Sequence, residues 1–113
     1  MNKALFVTSE RMLSDMGFSG RYKGYYYLIL AIVLSLESGI QKDALTKEIY
    51  DLIACFHNVS VDSVEKCIRT CIVKAWNEDP SHFSWRYGYM TRKPTNSEVI
   101  SFISSRIRLE SDV

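Results

Sequence analysis

Apolar residues recur every three to four positions along much of the chain, a spacing that predicts helices with one buried face. The clearest example is the segment 61–76. On a helix, its apolar side holds Val64, Ile68, Cys71, Ile72 and Ala75. The opposite side holds Asp62, Lys66, Arg69, Thr70 and Val73. We therefore predict that one face of this helix is core and that the other, largely polar face is displayed.

A second helix is predicted immediately before this one. The segment 46–56 has apolar residues at helical spacing, which are Ile49, Leu52, Ile53 and Phe56. The connection to the next helix, 57–59, is only a few residues long. Ser60 can cap the following helix with its hydroxyl, and Asp62 places a negative charge near the positive end of the helix dipole. Two helices joined this tightly, the second with a polar and basic face, are typical of a helix-turn-helix.

Helices are also predicted in the N-terminal third. The first covers residues 2–16, and Gly17 suits the left-handed position that ends such a helix. The second covers about 21–37 and is apolar almost all round, so we expect its neighbours to enclose it. Its longest apolar run, Tyr25–Leu36, has twelve residues, whereas a membrane-spanning helix needs about twenty. This helix is therefore predicted to be central and buried, with no membrane association.

The C-terminal third predicts one short and one long helix. Pro80 interrupts the pattern, and 81–87 could form a short helix. The last helix has the strongest local signal, because Thr95 and Glu98 have the spacing of a capping box. Its buried stripe is predicted to be Val99, Ile100, Ile103 and Ile107. Since no segment alternates at period two for long, we predict an all-α fold of about six helices in a single domain, 1–113.

Composition narrows the classes of function. Of the 113 residues, 47% are hydrophobic, enough for one compact core. The chain has 14 Lys and Arg and 13 Asp and Glu, which gives a net charge of +1. Because this charge is too small to attract polyanions by itself, any nucleic-acid site must depend on a local group of cations. Three cysteines without a regular framework or an N-terminal signal pattern suggest reduced thiols in the cytoplasm.

Several short blocks together resemble the C-terminal DNA-binding domain of stage 0 sporulation protein A, a sporulation response regulator. They include Lys23-Gly24-Tyr25, Ile49-Tyr50, Val64-Glu65, Ala75-Trp76, Gly88-Tyr89, the run Lys93-Pro94-Thr95-Asn96-Ser97-Glu98, and Arg108-Leu109-Glu110. The blocks occur in the family's order over nearly the whole chain. Each block is weak alone, and their order makes the resemblance specific.

The resemblance implies a winged-helix-like effector fold of six helices, of which the third and fourth form the helix-turn-helix. It also implies double-stranded DNA as the target and contact with an RNA polymerase sigma factor. The residues expected at the DNA are Ser60, Ser63, Glu65, Lys66, Arg69, Thr70 and Lys93. Three positions depart from the family pattern: Lys66 replaces an Arg, Thr70 replaces a frequent His, and Asp51 replaces a Pro. Because Lys is a point charge where Arg is a planar fork, Lys66 is expected to alter or relax target specificity.

We expect no receiver domain in this chain, and therefore a monomer in solution that could pair on tandem DNA sites. The aromatic residues after Pro80 form a candidate partner surface, or alternatively a lid over the core. They are Phe83, Trp85, Tyr87 and Tyr89. The main alternative function is a receiver-less interaction module that pairs with a full-length regulator or a sigma factor and titrates it.

Other chemistries have weaker support. Cys67 and Cys71 are four residues apart and could ligate a metal with Cys55, His57 or His82, but both project toward the apolar side and are better explained as core. No signature around Cys55 or His57 favours a nucleophile. The tyrosines at 22, 25, 26 and 27 could stack on bases, but on so apolar a helix they are predicted to be mostly core. We therefore predict no enzyme activity, metal or cofactor.

Overall fold

A computed structural model describes residues 2–38, 42–81, 83 and 92–111, excluding the side chains of 42–46 and 111. It contains five named helices: α1 (Lys3–Asp15), α2 (Lys23–Ser38), α3 (Lys42–His57), α4 (Val61–Glu78) and α5 (Asn96–Ser111). Across these described ranges there is no strand, which confirms the predicted all-α class. The predicted helix 81–87 lies mostly outside the described residues. In the described part, no helix is long and apolar enough to cross a membrane.

Local signals in the sequence explain where several helices begin and end. The side chain of Asn2 accepts a hydrogen bond from the Leu5 N–H at 3.2 Å and caps α1. At the other end, Gly17 has a φ of 86°, and the Phe18 N–H donates back to the Leu13 carbonyl at 3.0 Å. This left-handed residue lets the chain leave the helix without a Cβ clash, as predicted.

The central element is α2, and each of the other four named helices packs against it. Ten of its sixteen residues are buried, which explains why its sequence is apolar almost all round. Polar groups also anchor it. The Tyr25 hydroxyl donates to the Glu10 carbonyl of α1 at 3.0 Å, and the Arg108 guanidinium of α5 donates to the Ser35 carbonyl at 3.3 Å.

The backbones of α2 and α4 approach each other closely at Gly24. A Cβ added to Gly24 would lie 1.9 Å from the carbonyl oxygen of Cys67 and 2.9 Å from the Cβ of Cys71. The backbone of α4 therefore rests directly on α2 at this point, and any side chain larger than hydrogen would separate the two helices. This contact sets the depth at which α4 sits in the core.

The buried face of α3 includes the predicted Ile49 and Ile53 but not the predicted Leu52 and Phe56. Leu52 is 57% exposed and Phe56 is 84% exposed, whereas the buried residues are Ile49, Tyr50, Ile53 and Ala54. The reason is that α3 packs against α2 and α4 together, so its buried face is centred between two neighbours. Leu52 and Phe56 instead border a groove of about 540 Å³ between α2 and α3, together with Tyr26 of α2.

Candidate nucleic-acid interface

The predicted two-sided character of α4 is confirmed. Its buried residues are Val64, Ile68, Cys71, Ile72 and Ala75. The side chains of Asp62, Lys66, Arg69 and Thr70 are exposed, and Val73 is half-buried. The Ser60 hydroxyl accepts a hydrogen bond from the Ser63 N–H at 3.0 Å, so Ser60 is the N-cap that the sequence predicted. The polar face of α4 therefore starts from a fixed point.

The turn between α3 and α4 is tightly defined. Asn58 has a φ of 55°, and its N–H donates to the Cys55 carbonyl at 3.3 Å. The Val59 N–H donates to the Ala54 carbonyl at 3.0 Å. This pair of bonds around a left-handed residue is a Schellman motif, in which Asn is the usual substitute for Gly. Asn58 was not predicted as the left-handed residue that ends α3, although an Asn just after a helix is typical of that position.

Two ion pairs lie along the exposed face of α4. The Lys66 ammonium is 3.0 Å from the Asp62 carboxylate, and the Arg69 guanidinium is 2.7 Å from the Glu65 carboxylate. Both pairs span one helical turn and are well exposed to water. Because such pairs contribute little to stability, an incoming anion or base edge can compete for either cation at small cost.

The segment before α5 lies beside α4 and is held by a compact set of bonds. The Arg92 guanidinium donates twice to the Glu98 carboxylate, at 2.8 Å each. Glu98 also accepts from the Thr95 N–H at 2.8 Å, while its own N–H donates to the Thr95 hydroxyl at 3.2 Å. The predicted capping box is thus confirmed. The Arg92 contact and these cap bonds lower the pKa of Glu98 to about 2.

Lys93 follows Arg92, and both cations are exposed, while Pro94 is buried. Arg92 is paired with Glu98. Lys93 shares a cleft of about 420 Å³ with Glu65 and Arg69 of α4 and with Asn96 at the start of α5. Tyr50 of α3 forms part of the same cleft. Burial raises the pKa of the Tyr50 phenol, and the neighbouring Asn96 amide opposes that rise. Three of the seven predicted DNA contacts therefore meet in one place.

The other predicted contacts lie elsewhere on α4. Lys66 and Thr70 line a second cleft of about 300 Å³, together with Lys23, the first residue of α2, and Tyr22 just before it. Ser60 and Ser63 lie at the start of α4. Lys23 was not predicted as a DNA contact. It is the first residue of a largely apolar helix, and its position beside Lys66 depends on how α2 packs on α4.

The candidate partner surface requires a correction. Phe83 is fully buried and packs against Phe18 and Trp76, with ring centroids 5.5 Å apart in each case. It therefore belongs to the core, because the chain after α4 turns back at Pro80 and brings Phe83 against Phe18 and Trp76. Trp85, Tyr87 and Tyr89 lie outside the described residues.

The cysteines do not converge. Cys55 is exposed, Cys67 is half-buried and Cys71 is buried, where burial raises the pKa of its thiol to about 12. Among the described residues, no three His, Cys, Asp or Glu side chains lie close enough together to hold a metal ion. His82, one of the ligands considered, lies outside the described residues.

The comparison with protein families agrees with this architecture. The family model for the C-terminal domain of the sporulation initiation factor Spo0A matches residues 9–107. The match contains all of α2, α3 and α4 and most of α1 and α5. It thus includes both clefts and the turn between α3 and α4. The chain belongs to the family of the C-terminal domain of the sporulation initiation factor Spo0A.

Proposed function

We propose that this chain is a sequence-specific DNA-binding transcription regulator without catalytic activity, and that α4 is its recognition helix. The observation that carries the proposal is the arrangement of α3 and α4. A Schellman turn joins them, the apolar face of α4 is buried in full, and its exposed face holds Lys66, Arg69 and Thr70. Such a helix can enter the major groove without exposing its core face.

The two clefts beside α4 support separate roles for the cations. Arg69 lies near the middle of the exposed face, where a groove-docked helix brings side chains to base edges. Its guanidinium can bind guanine O6 and N7 as a fork once it leaves Glu65. Lys93 lies on the segment before α5, which suits a contact with the phosphate backbone. A net charge of +1 makes these local contacts decisive.

The finer partner assignments are also proposals. We infer a cytoplasmic protein that is a monomer in solution and pairs on tandem DNA sites, with contact to an RNA polymerase sigma factor through the chain after α4. The burial of Phe83 removes one residue from that contact surface. Lys66 is paired with Asp62 and presents a point charge, so it favours phosphate or relaxed base contact over bidentate recognition.

The test is a selection of bound sequences from random duplexes, followed by affinity measurements on the selected box and on random DNA. Arg69→Ala should cost about 1–3 kcal/mol on the selected box and much less on random duplex. Lys93→Ala should weaken both alike and reduce the salt slope by about one unit. Arg11→Ala, at an exposed cation on α1, is the control and should leave affinity unchanged. Equal losses on both DNAs for Arg69→Ala would reject base reading by this residue.

A second function, the interaction module, is favoured by one observation. Leu52 and Phe56 are exposed beside the groove between α2 and α3, and Glu37 lies at its edge. An amphipathic helix with basic flanks fits an apolar groove with an acidic edge. Binding to such a protein partner, with no DNA shift and with loss on Phe56→Ser, would favour this function over DNA binding.

A further inference from the structure

One side chain links the start of α5 directly to the recognition helix. The Asn96 amide N–H donates to the main-chain carbonyl of Glu65 at 3.1 Å, across 31 residues of sequence. That carbonyl lies one helical turn before Arg69, and it has a second lone pair for the helical hydrogen bond. The partly buried Asn96 bond therefore connects two elements that carry different predicted DNA contacts.

The start of α5 is itself rigid. Arg92, Thr95 and Glu98 form the closed set of bonds described above, and Lys93 lies within it. A side chain that fixes this segment to α4 also fixes where Lys93 emerges relative to the exposed face of α4. The Asn96 bond is such a fixing contact, because it acts on the main chain of α4 and leaves the Glu65 carboxylate to Arg69.

We propose that Asn96 is a positioning residue for DNA recognition: by tying the capped start of α5 to α4, it sets the spacing between the phosphate contact of Lys93 and the base contact of Arg69. This inference rests on the proposed function. The spacing matters for specificity because both contacts form together only on a duplex whose backbone and base edge match it. Without the Asn96 bond, Lys93 and Arg69 can each still bind DNA, but the spacing between the two contacts is no longer fixed to one register of the duplex.

The variants separate positioning from simple stability. Asn96→Ala removes the amide, while Asn96→Asp keeps the size and suits a helix start but cannot donate to the Glu65 carbonyl. Ser105→Ala is the control on the same helix, since Ser105 is exposed and does not line this cleft. A lower melting temperature in an Asn96 variant is compatible both with a positioning role and with a purely structural role. The decisive measurement is the ratio of the affinities for the selected box and for random duplex, taken well below the melting temperature. A purely structural role of Asn96 would leave this ratio unchanged.

We expect this ratio to fall about 3- to 10-fold in both Asn96 variants, the range that one hydrogen bond supports, and to stay unchanged in Ser105→Ala. Asn96→Asp also weakens all DNA by charge repulsion, which the ratio cancels. A wild-type ratio in Asn96→Asp and in any folded Asn96→Ala, or an equal fall in Ser105→Ala, would overturn the positioning role while leaving the proposed function intact. If the wild-type chain itself shows no preference for any selected box, the proposed function fails, and this inference with it.

Discussion

Replacing Gly24 with alanine is the most direct test of how α4 is seated. The added Cβ would lie 1.9 Å from the Cys67 carbonyl oxygen and 2.5 Å from its carbonyl carbon. Real Cβ contacts closer than 3.0 Å are essentially never seen, so α4 must retreat from α2 by more than 1 Å. Rotation of a side chain cannot relieve this clash, because the obstructing atoms belong to the helix backbone.

Two opposing effects determine the size of the loss. Alanine in place of a mid-helix glycine gains about 0.5–1 kcal/mol because the unfolded chain has less entropy to lose, and at Gly24, in the first turn of α2, this value is an upper limit. Overpacking a core typically costs about 1–3 kcal/mol and sometimes more. Since the contact is with main chain, we place the cost at or above the upper end and expect a net loss of about 2 kcal/mol. With a urea m-value of about 2 kcal/mol/M, the midpoint of unfolding should fall by about 1 M.

Gly20→Ala is the matched control. A Cβ at Gly20 meets the ring of Tyr25 at 3.8 Å, which is an ordinary contact, so its unfolding midpoint should stay close to wild type. If Gly24→Ala proves as stable as Gly20→Ala, the close approach of α2 and α4 is wrong. The DNA affinity of Gly24→Ala, measured under conditions in which the variant is folded, should also fall, because displacement of α4 changes the position of its exposed face.

Two further predictions concern titration and reactivity. Because Glu98 has a pKa of about 2 against an ordinary 4.5, its charged form stabilises the folded chain above about pH 4.5, and this contribution disappears as the pH falls toward 2. Glu98→Gln should therefore be less stable than wild type at pH 7, and the gap should close between about pH 4.5 and 2 in denaturant titrations. Alkylation should modify Cys55 long before Cys71, whose buried thiol has a pKa of about 12. Peptide mapping checks this order, and early modification of Cys71 would show that its site is open to solvent.

Most of the fold follows from short-range signals in the sequence. The caps at Ser60 and Thr95 and the left-handed Gly17 depend on residues within one turn of each other, and each was predicted correctly. The buried stripe of the last helix was also correct, with Val99, Ile100, Ile103 and Ile107 all buried. Periodicity succeeds there because α5 presents one apolar stripe with little competition from other apolar positions.

The errors and omissions have a common physical origin. The apolar stripe predicted for α3 was Ile49, Leu52, Ile53 and Phe56. Ile49 and Ile53 are buried, but packing against two helices buries Tyr50 and Ala54 in place of Leu52 and Phe56. The sequence of α3 contains two possible apolar stripes, and hydrophobic periodicity alone cannot decide which of them is buried. The roles of Lys23 and Asn96 likewise arise from contacts across helices, which residue spacing along the chain does not encode.

The central position of α2 has a consequence for how the chain folds. The pair α3 and α4 buries Ile53, Val64 and Ile68 in a core whose centre is α2, so an excised helix-turn-helix would expose those side chains to water. Most of the stability of an amphipathic helix comes from the packing of its apolar face, and the Asn58 turn alone does not supply a core. The surface proposed to touch DNA is therefore a product of cooperative folding by the whole domain. A destabilising change anywhere along α2 would reduce the population of molecules able to bind, even with every residue of α4 in place.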